Sequence, residues 1–102
     1  MYYTYILKST RQPGAIYIGY TSDLKRRLQQ HNDFEHKSYS KRFSPWIIET
    51  YLAFSKESEA KNFEKYLKSN SGKAFMRKRL ITEEFKNVLA KFTNGRSNSA
   101  KR

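Results

Sequence analysis

The sequence predicts an α+β fold, a small three-stranded antiparallel sheet flanked by helices, and three observations predict it. Two short stretches near the N-terminus alternate rings with smaller residues at the period of two that marks a strand, and a Pro13-Gly14 turn signal separates them. A third stretch, Trp46 to Phe54, is long, apolar and rich in β-branched and aromatic residues. Around these runs, apolar residues recur at helical spacing behind good N-caps. The chain of 102 residues is expected to form one domain over 1–92, followed at 93–102 by a polar, basic tail too poor in apolar residues to pack.

Tyr2 to Lys8 places Tyr3, Tyr5 and Leu7 on one face of a first strand and Tyr2, Thr4 and Ile6 on the other. After the turn, Ala15 to Tyr20 alternates again, with Tyr17 and Gly19 sharing a face opposite Ile16 and Ile18, so the two strands form an antiparallel hairpin. Thr21, Ser22 and Asp23 are N-caps for a helix in which Leu24, Leu28 and His31 fall on one face, ending near Asn32. Asp33 to Pro45 is a polar, basic surface loop carrying His36, Lys37, Lys41 and Arg42. Trp46 to Phe54 then reads as a third strand, buried on both faces.

Ser55 is expected to cap a second helix, with Glu57 and Glu59 favouring the N-terminal end of its dipole and Ala60, Phe63, Glu64 and Leu67 on its inner face. Ser71-Gly72 is expected to stop it. A short basic helix from about Lys73 to Leu80 follows, and Thr82 caps a last helix through Phe85, Val88 and Leu89.

Twenty-one Lys and Arg against nine Asp and Glu give a formal charge of +12, which attracts polyanions at long range. Nucleic acid is the first candidate partner. A membrane surface would need a basic helix with a broad apolar face, which no segment offers, and no apolar run reaches the length of a membrane span. The chain has no cysteine, so disulfides, thiolate metal sites and cysteine nucleophiles are excluded, and a cytoplasmic location is expected. Eight Tyr and seven Phe imply a core filled largely by rings.

Polar side chains on inward faces are the informative ones, because burial demands a partner or a function. Steps of about 100° per residue put Arg27 at the edge of the first helix's buried face, beside Leu24, Leu28 and His31, and turn Arg26 away. The same count makes Glu64 the carboxylate most nearly forced inward, to be met by Arg27 or by a metal ion. That pair is as compatible with a structural ion pair as with a site. On the second strand, the missing side chain at Gly19 leaves room beside Tyr17 for another backbone or a phosphate, and Tyr5 comes from the neighbouring strand.

The order of these residues resembles the GIY-YIG nuclease family. A strand with Tyr5 leads to a strand reading Tyr17-Ile18-Gly19, then a helix reading Asp23-Leu24-Lys25-Arg26-Arg27-Leu28 and closed by His31-Asn32. Pro45-Trp46, Glu59-Ala60, Glu64 and Leu67-Lys68-Ser69 extend the likeness through about residues 2–80, and it is nearest to small members that are little more than the nuclease domain. The first motif reads Tyr3-Thr4-Tyr5, keeping the tyrosine without the family's glycine or isoleucine. The resemblance implies that Tyr5 and Tyr17 are the motif tyrosines, Arg27 the catalytic arginine, His31 their partner and Glu64 the ligand of one Mg²⁺ or Mn²⁺ ion.

The activity so implied is metal-dependent endonucleolytic cleavage, of DNA more than RNA, on structured, nicked or single-stranded substrates. Gly19, Lys25, Arg26, Lys41, Arg42, Lys68 and Lys73 are expected to approach the nucleic acid, the cations contacting phosphates without reading sequence. The alternatives are a binding module that keeps the fold without turnover, or a basic member of a larger assembly. Nothing in the sequence sets an oligomeric state.

Overall fold

A computed structural model describes residues 1–33 and 42–94. Its elements run β1 (Tyr2–Ser9), β2 (Ile16–Thr21), α1 (Leu24–Asn32), β3 (Trp46–Phe54), α2 (Glu57–Leu67), α3 (Asn70–Arg79) and α4 (Glu83–Asn94). The sheet is antiparallel in the order β2-β1-β3. The α+β class and the three-stranded sheet are those expected from the sequence.

In the β1–β2 hairpin, Gly14 adopts φ 90°, which a side chain would strain. The Ser9 hydroxyl accepts from the Arg11 and Gln12 amides at 3.0 and 2.8 Å and donates to the Phe43 carbonyl, tying the turn to the segment before β3. Asp23 caps α1 by accepting from the Arg26 amide.

The strand buried on both faces is β1, where the sequence pointed to β3. Thr4, Tyr5, Ile6 and Leu7 are all buried on β1, whereas Ile47, Tyr51 and Ala53 of β3 are exposed. The reason is position: β1 lies between two partners under helices on either side, and β3 is an edge. A register shift between Ile6 and Leu7 inserts an extra β3 residue, Glu49, whose carboxylate reaches Lys8 Nζ at 3.0 Å and accepts from the Thr82 amide at 2.6 Å.

Three helix boundaries depart from the expected ones. The N-cap of α2 is Lys56, with no side-chain cap bond, so Ser55 does not cap it. The helix ends at Leu67 rather than at Ser71-Gly72, because the Ser69 hydroxyl donates to the Tyr66 carbonyl and accepts from the Gly72 amide, starting α3 at Asn70. Gly72 therefore lies inside α3, where a β-carbon would overlap the carbonyl of Tyr66; its role is close helix crossing, not termination. The Thr82 hydroxyl accepts from the Phe85 amide at the start of α4, as expected, and α4 continues to Asn94. The rest of the expected tail, 95–102, lies outside the described residues, as do His36, Lys37 and Lys41.

The sheet separates two clusters. Ile6 and Ile18 pack with Leu67, Met76, Ile81 and Phe85, and on the opposite face Tyr5, Leu7 and Trp46 pack with Tyr17, Leu24 and Leu28. Among the described residues no helix is long and apolar enough to cross a membrane.

Candidate active site

The centre of the ring-bearing face is Tyr5, 1% exposed on the middle strand. Its register partner on β2 is Gly19, and a β-carbon there would lie 2.6 Å from the Tyr5 hydroxyl and 2.8 Å from Cζ. The phenol thus lies across the glycine. This corrects the expectation that Gly19 opens a space for a phosphate: the space exists, and Tyr5 fills it.

Tyr17, two residues earlier on β2 and half-buried, stacks on Tyr5 with centroids 6.4 Å apart and planes at 17°. Its ring also lies 4.4 Å from that of His31 and 6.2 Å from Trp46. His31, 6% exposed in the last turn of α1, brings Nε2 to 3.0 Å from the Tyr5 hydroxyl. The next residue fixes that end of the helix. The Asn32 side-chain amide donates to the Trp46 carbonyl at 3.0 Å and accepts from its N–H at 2.6 Å, as a neighbouring strand would. Asn32 was not singled out in the sequence as a positioning residue; its signal was an amide beside the inward histidine.

Arg27, one turn before His31, borders a depression with Tyr5, Leu7, Leu24, Leu28 and Ile48, close enough for its charge to be felt at the Tyr5 phenol. Burial, helped by Tyr17 and the Glu64 charge, raises the Tyr5 phenol to about 12 against the lowering pull of the Arg27 charge. Tyr5 is therefore a neutral hydroxyl at any physiological pH.

Glu64 lies on the inner side of α2, its side chain 17% exposed and its charge felt at Tyr5. The side-chain cation that meets it is Lys68, one turn on, with Nζ at 2.6 Å, rather than Arg27. This alters the expectation for Lys68 as a phosphate contact, since its ammonium sits on the carboxylate. That lysine is itself 54% exposed, so the pair opens outward. Among the described residues no three His, Asp or Glu gather into a cage. One sheltered carboxylate held by a flexible lysine suits an ion that keeps most of its waters, as Mg²⁺ does.

Lys25 and Arg26 are exposed on α1, Lys73 on α3, and Arg42 ahead of β3 with its guanidinium 5.6 Å from the Phe43 ring. These four remain available to a polyanion.

The GIY-YIG catalytic domain family model matches residues 1–79, a span holding Tyr5, Tyr17, Arg27, His31 and Glu64. A UPF0213 protein of Bacillus licheniformis is 33% identical over 72 residues, covering 71% of this chain and 72% of that protein. Another, from Streptococcus agalactiae, is 33% identical over 72 residues, covering 71% and 80%. A structure-specific endonuclease subunit, slx1, of Talaromyces marneffei is 39% identical over 69 residues, covering 62% of this chain but only 18% of that longer protein.

Proposed function

Since the chain belongs to the GIY-YIG family, we propose that it is a metal-dependent endonuclease hydrolysing phosphodiester bonds in DNA, acting in the cytoplasm, with Tyr5, Tyr17, Arg27, His31 and Glu64 as its machinery. The observation that carries this reading is the convergence of two phenols, an imidazole and a guanidinium around Gly19, within reach of a sheltered carboxylate's charge.

Hydrolysis needs a deprotonated water, neutralised phosphate charge and a stabilised leaving oxygen. Glu64 would hold one Mg²⁺ or Mn²⁺, displacing Lys68; bound there, the ion supplies positive charge to the phosphate and acidifies a water. Arg27 offers a planar fork of donors to phosphate oxygens, which suits charge that grows in the transition state. The two tyrosines divide the remaining work. Tyr5, held neutral by burial, is hydrogen-bonded to His31 and lies beside Arg27, and so helps to position both. Tyr17, half-open to solvent beside His31, is the better placed of the two to take the proton from water once its own phenolic proton has been released to solvent. The relative named as a structure-specific endonuclease subunit supports structured DNA within the substrate class.

The test is cleavage of labelled single-stranded, duplex, nicked and branched DNA, with the corresponding RNAs, in Mg²⁺, Mn²⁺ or chelator, by wild type, Glu64→Gln and Arg27→Ala. Metal-dependent products that fall by about 100-fold or more in both variants are expected. Tight binding without cleavage under any condition, unchanged by Glu64→Gln, would make the chain a binding module instead.

A further inference from the structure

The ring-bearing face does not end at the site. Tyr51 of β3 is the direct register partner of Tyr5, so the two side chains rise from the same face, with β-carbons about 5 Å apart for such a pair. Tyr3, two residues before Tyr5 on β1, shares that face, and its ring meets Tyr51 edge-on at 5.8 Å and 70°. Exposure divides the row sharply: Tyr5 is 1% exposed and Tyr51 53%. The cover over this face is α1, packed against Leu7 and Ile48 through Leu24 and Leu28, and it leaves the Tyr51 end open. Ala53, the register partner of Tyr3, is exposed and contributes only a methyl, so nothing on β3 overhangs the two rings.

Two phenol rings braced against each other at an open sheet surface hold apolar area in water that a packed strand would hide. Their surroundings point to one occupant. Arg27 lies beside Tyr5, and Lys25 is exposed on α1. The β3 carboxylate, Glu49, is 2% exposed and held by Lys8. An aromatic surface continuous with a cationic site fits a nucleotide whose base stacks while its phosphate meets the guanidinium.

We propose that Tyr51, braced by Tyr3, is a stacking subsite for one unpaired base next to the phosphate held by Arg27. The subsite makes the protein favour DNA with an unpaired nucleotide at the cleavage point over uninterrupted duplex. A paired base is already stacked between its neighbours and cannot lie on a protein ring without being extruded. This inference deepens the endonuclease reading and rests on it for the position of the scissile bond.

Binding is measured by fluorescence anisotropy in the Glu64→Gln background, so that turnover plays no part. The ligands are a single-stranded oligonucleotide, the same strand with one abasic position, and a continuous duplex. Tyr51→Ala is expected to weaken single-strand binding by about tenfold while duplex binding changes less than about twofold, and Tyr51→Phe to retain single-strand affinity. One abasic position is expected to weaken the parent, but to leave Tyr51→Ala little further affected. Equal losses on single strand and duplex, or no loss, would overturn the subsite. So would sedimentation showing a dimer that Tyr51→Ala disperses, because the face would then belong to a second copy. With Glu64 restored, cleavage with unaltered strand preference in Tyr51→Ala defeats the subsite alone; a stacking effect without any cleavage defeats the nuclease reading alone.

Discussion

On one face of the sheet, Ile6 and Ile18 meet Leu67, Met76 and Phe85 from the helices that follow β3 and Ile81 from the connection between α3 and α4; on the other, Tyr5, Tyr17 and Trp46 meet the single helix α1, which brings His31 to them. Both faces draw on the same β1 residues by alternation, Ile6 to one side and its neighbours Tyr5 and Leu7 to the other. The aliphatic face is fastened by packing, with the Thr4 hydroxyl on the Ala60 carbonyl at 2.7 Å closing the helix onto it. The ring face is fastened by directed polar contacts, and it is only partly covered. Apart from Glu64, which comes from α2, stability and chemistry are thus divided across a sheet one residue thick. Damage to one side should be separable from damage to the other.

The largest expected effect lies on the aliphatic face. Leu67 is fully buried at the junction of β1, α2 and α3, and Leu67→Ala should destabilise the fold by about 2–5 kcal/mol in urea titration. Cleavage per folded molecule, measured well below the unfolding midpoint, should stay near that of wild type. If it falls in step with stability, the two faces are mechanically coupled and the division fails.

A smaller loss of stability with a larger loss of activity is expected from Gly19→Ala. The new methyl would lie 2.6 Å from the Tyr5 hydroxyl, 2.8 Å from its Cζ and 3.2 Å from Tyr17 Cε1. The ring must tilt away from His31 and Arg27 to admit it. We expect about 1–3 kcal/mol of destabilisation and roughly a 100-fold loss of cleavage, since displacing an aligned group by about 1 Å can reduce rate on that scale. Full activity in the Gly19→Ala variant would show that Tyr5 need not hold its present position.

The site was more legible in the sequence than the support around it, and the reason is physical. Helical counting turns Arg27, His31 and Glu64 inward because each lies on a regular helix, and strand alternation puts Tyr5 and Tyr17 on one face because the β1–β2 hairpin carries no irregularity. What escaped depends on contacts between distant segments. The edge position of β3 follows from which strand β1 chooses as its second partner, and a run of apolar residues does not encode that choice. Glu49 looked like part of that run, yet the bulge hides it against Lys8 and the start of α4. Gly72 reads locally as a helix stop and becomes a crossing point only because Tyr66 lies under it. Lys68 was expected to approach the nucleic acid, and its place one turn beyond Glu64 sets its ammonium on that carboxylate.

The smallest expected effect isolates the tyrosine that holds the ring face together. Burial raises the Tyr5 phenol from the ordinary 10.0 to about 12, against the pull of Arg27. A phenol with a higher pKa folded than unfolded stabilises the fold fully below the unfolded value, and that contribution disappears as pH climbs from about 10 towards 12. Tyr5→Phe removes the titration along with the hydrogen bond to His31. At neutral pH the variant should be less stable than wild type by about 1 kcal/mol. The gap should close or reverse as urea midpoints are followed above pH 10, because only the wild type still has this phenol to ionise. Other tyrosines and lysines titrate in the same window in both proteins and cancel in the difference. A gap that stays constant to pH 12 would mean that Tyr5 is open to water, leaving it free to compete with Tyr17 for the proton of the attacking water.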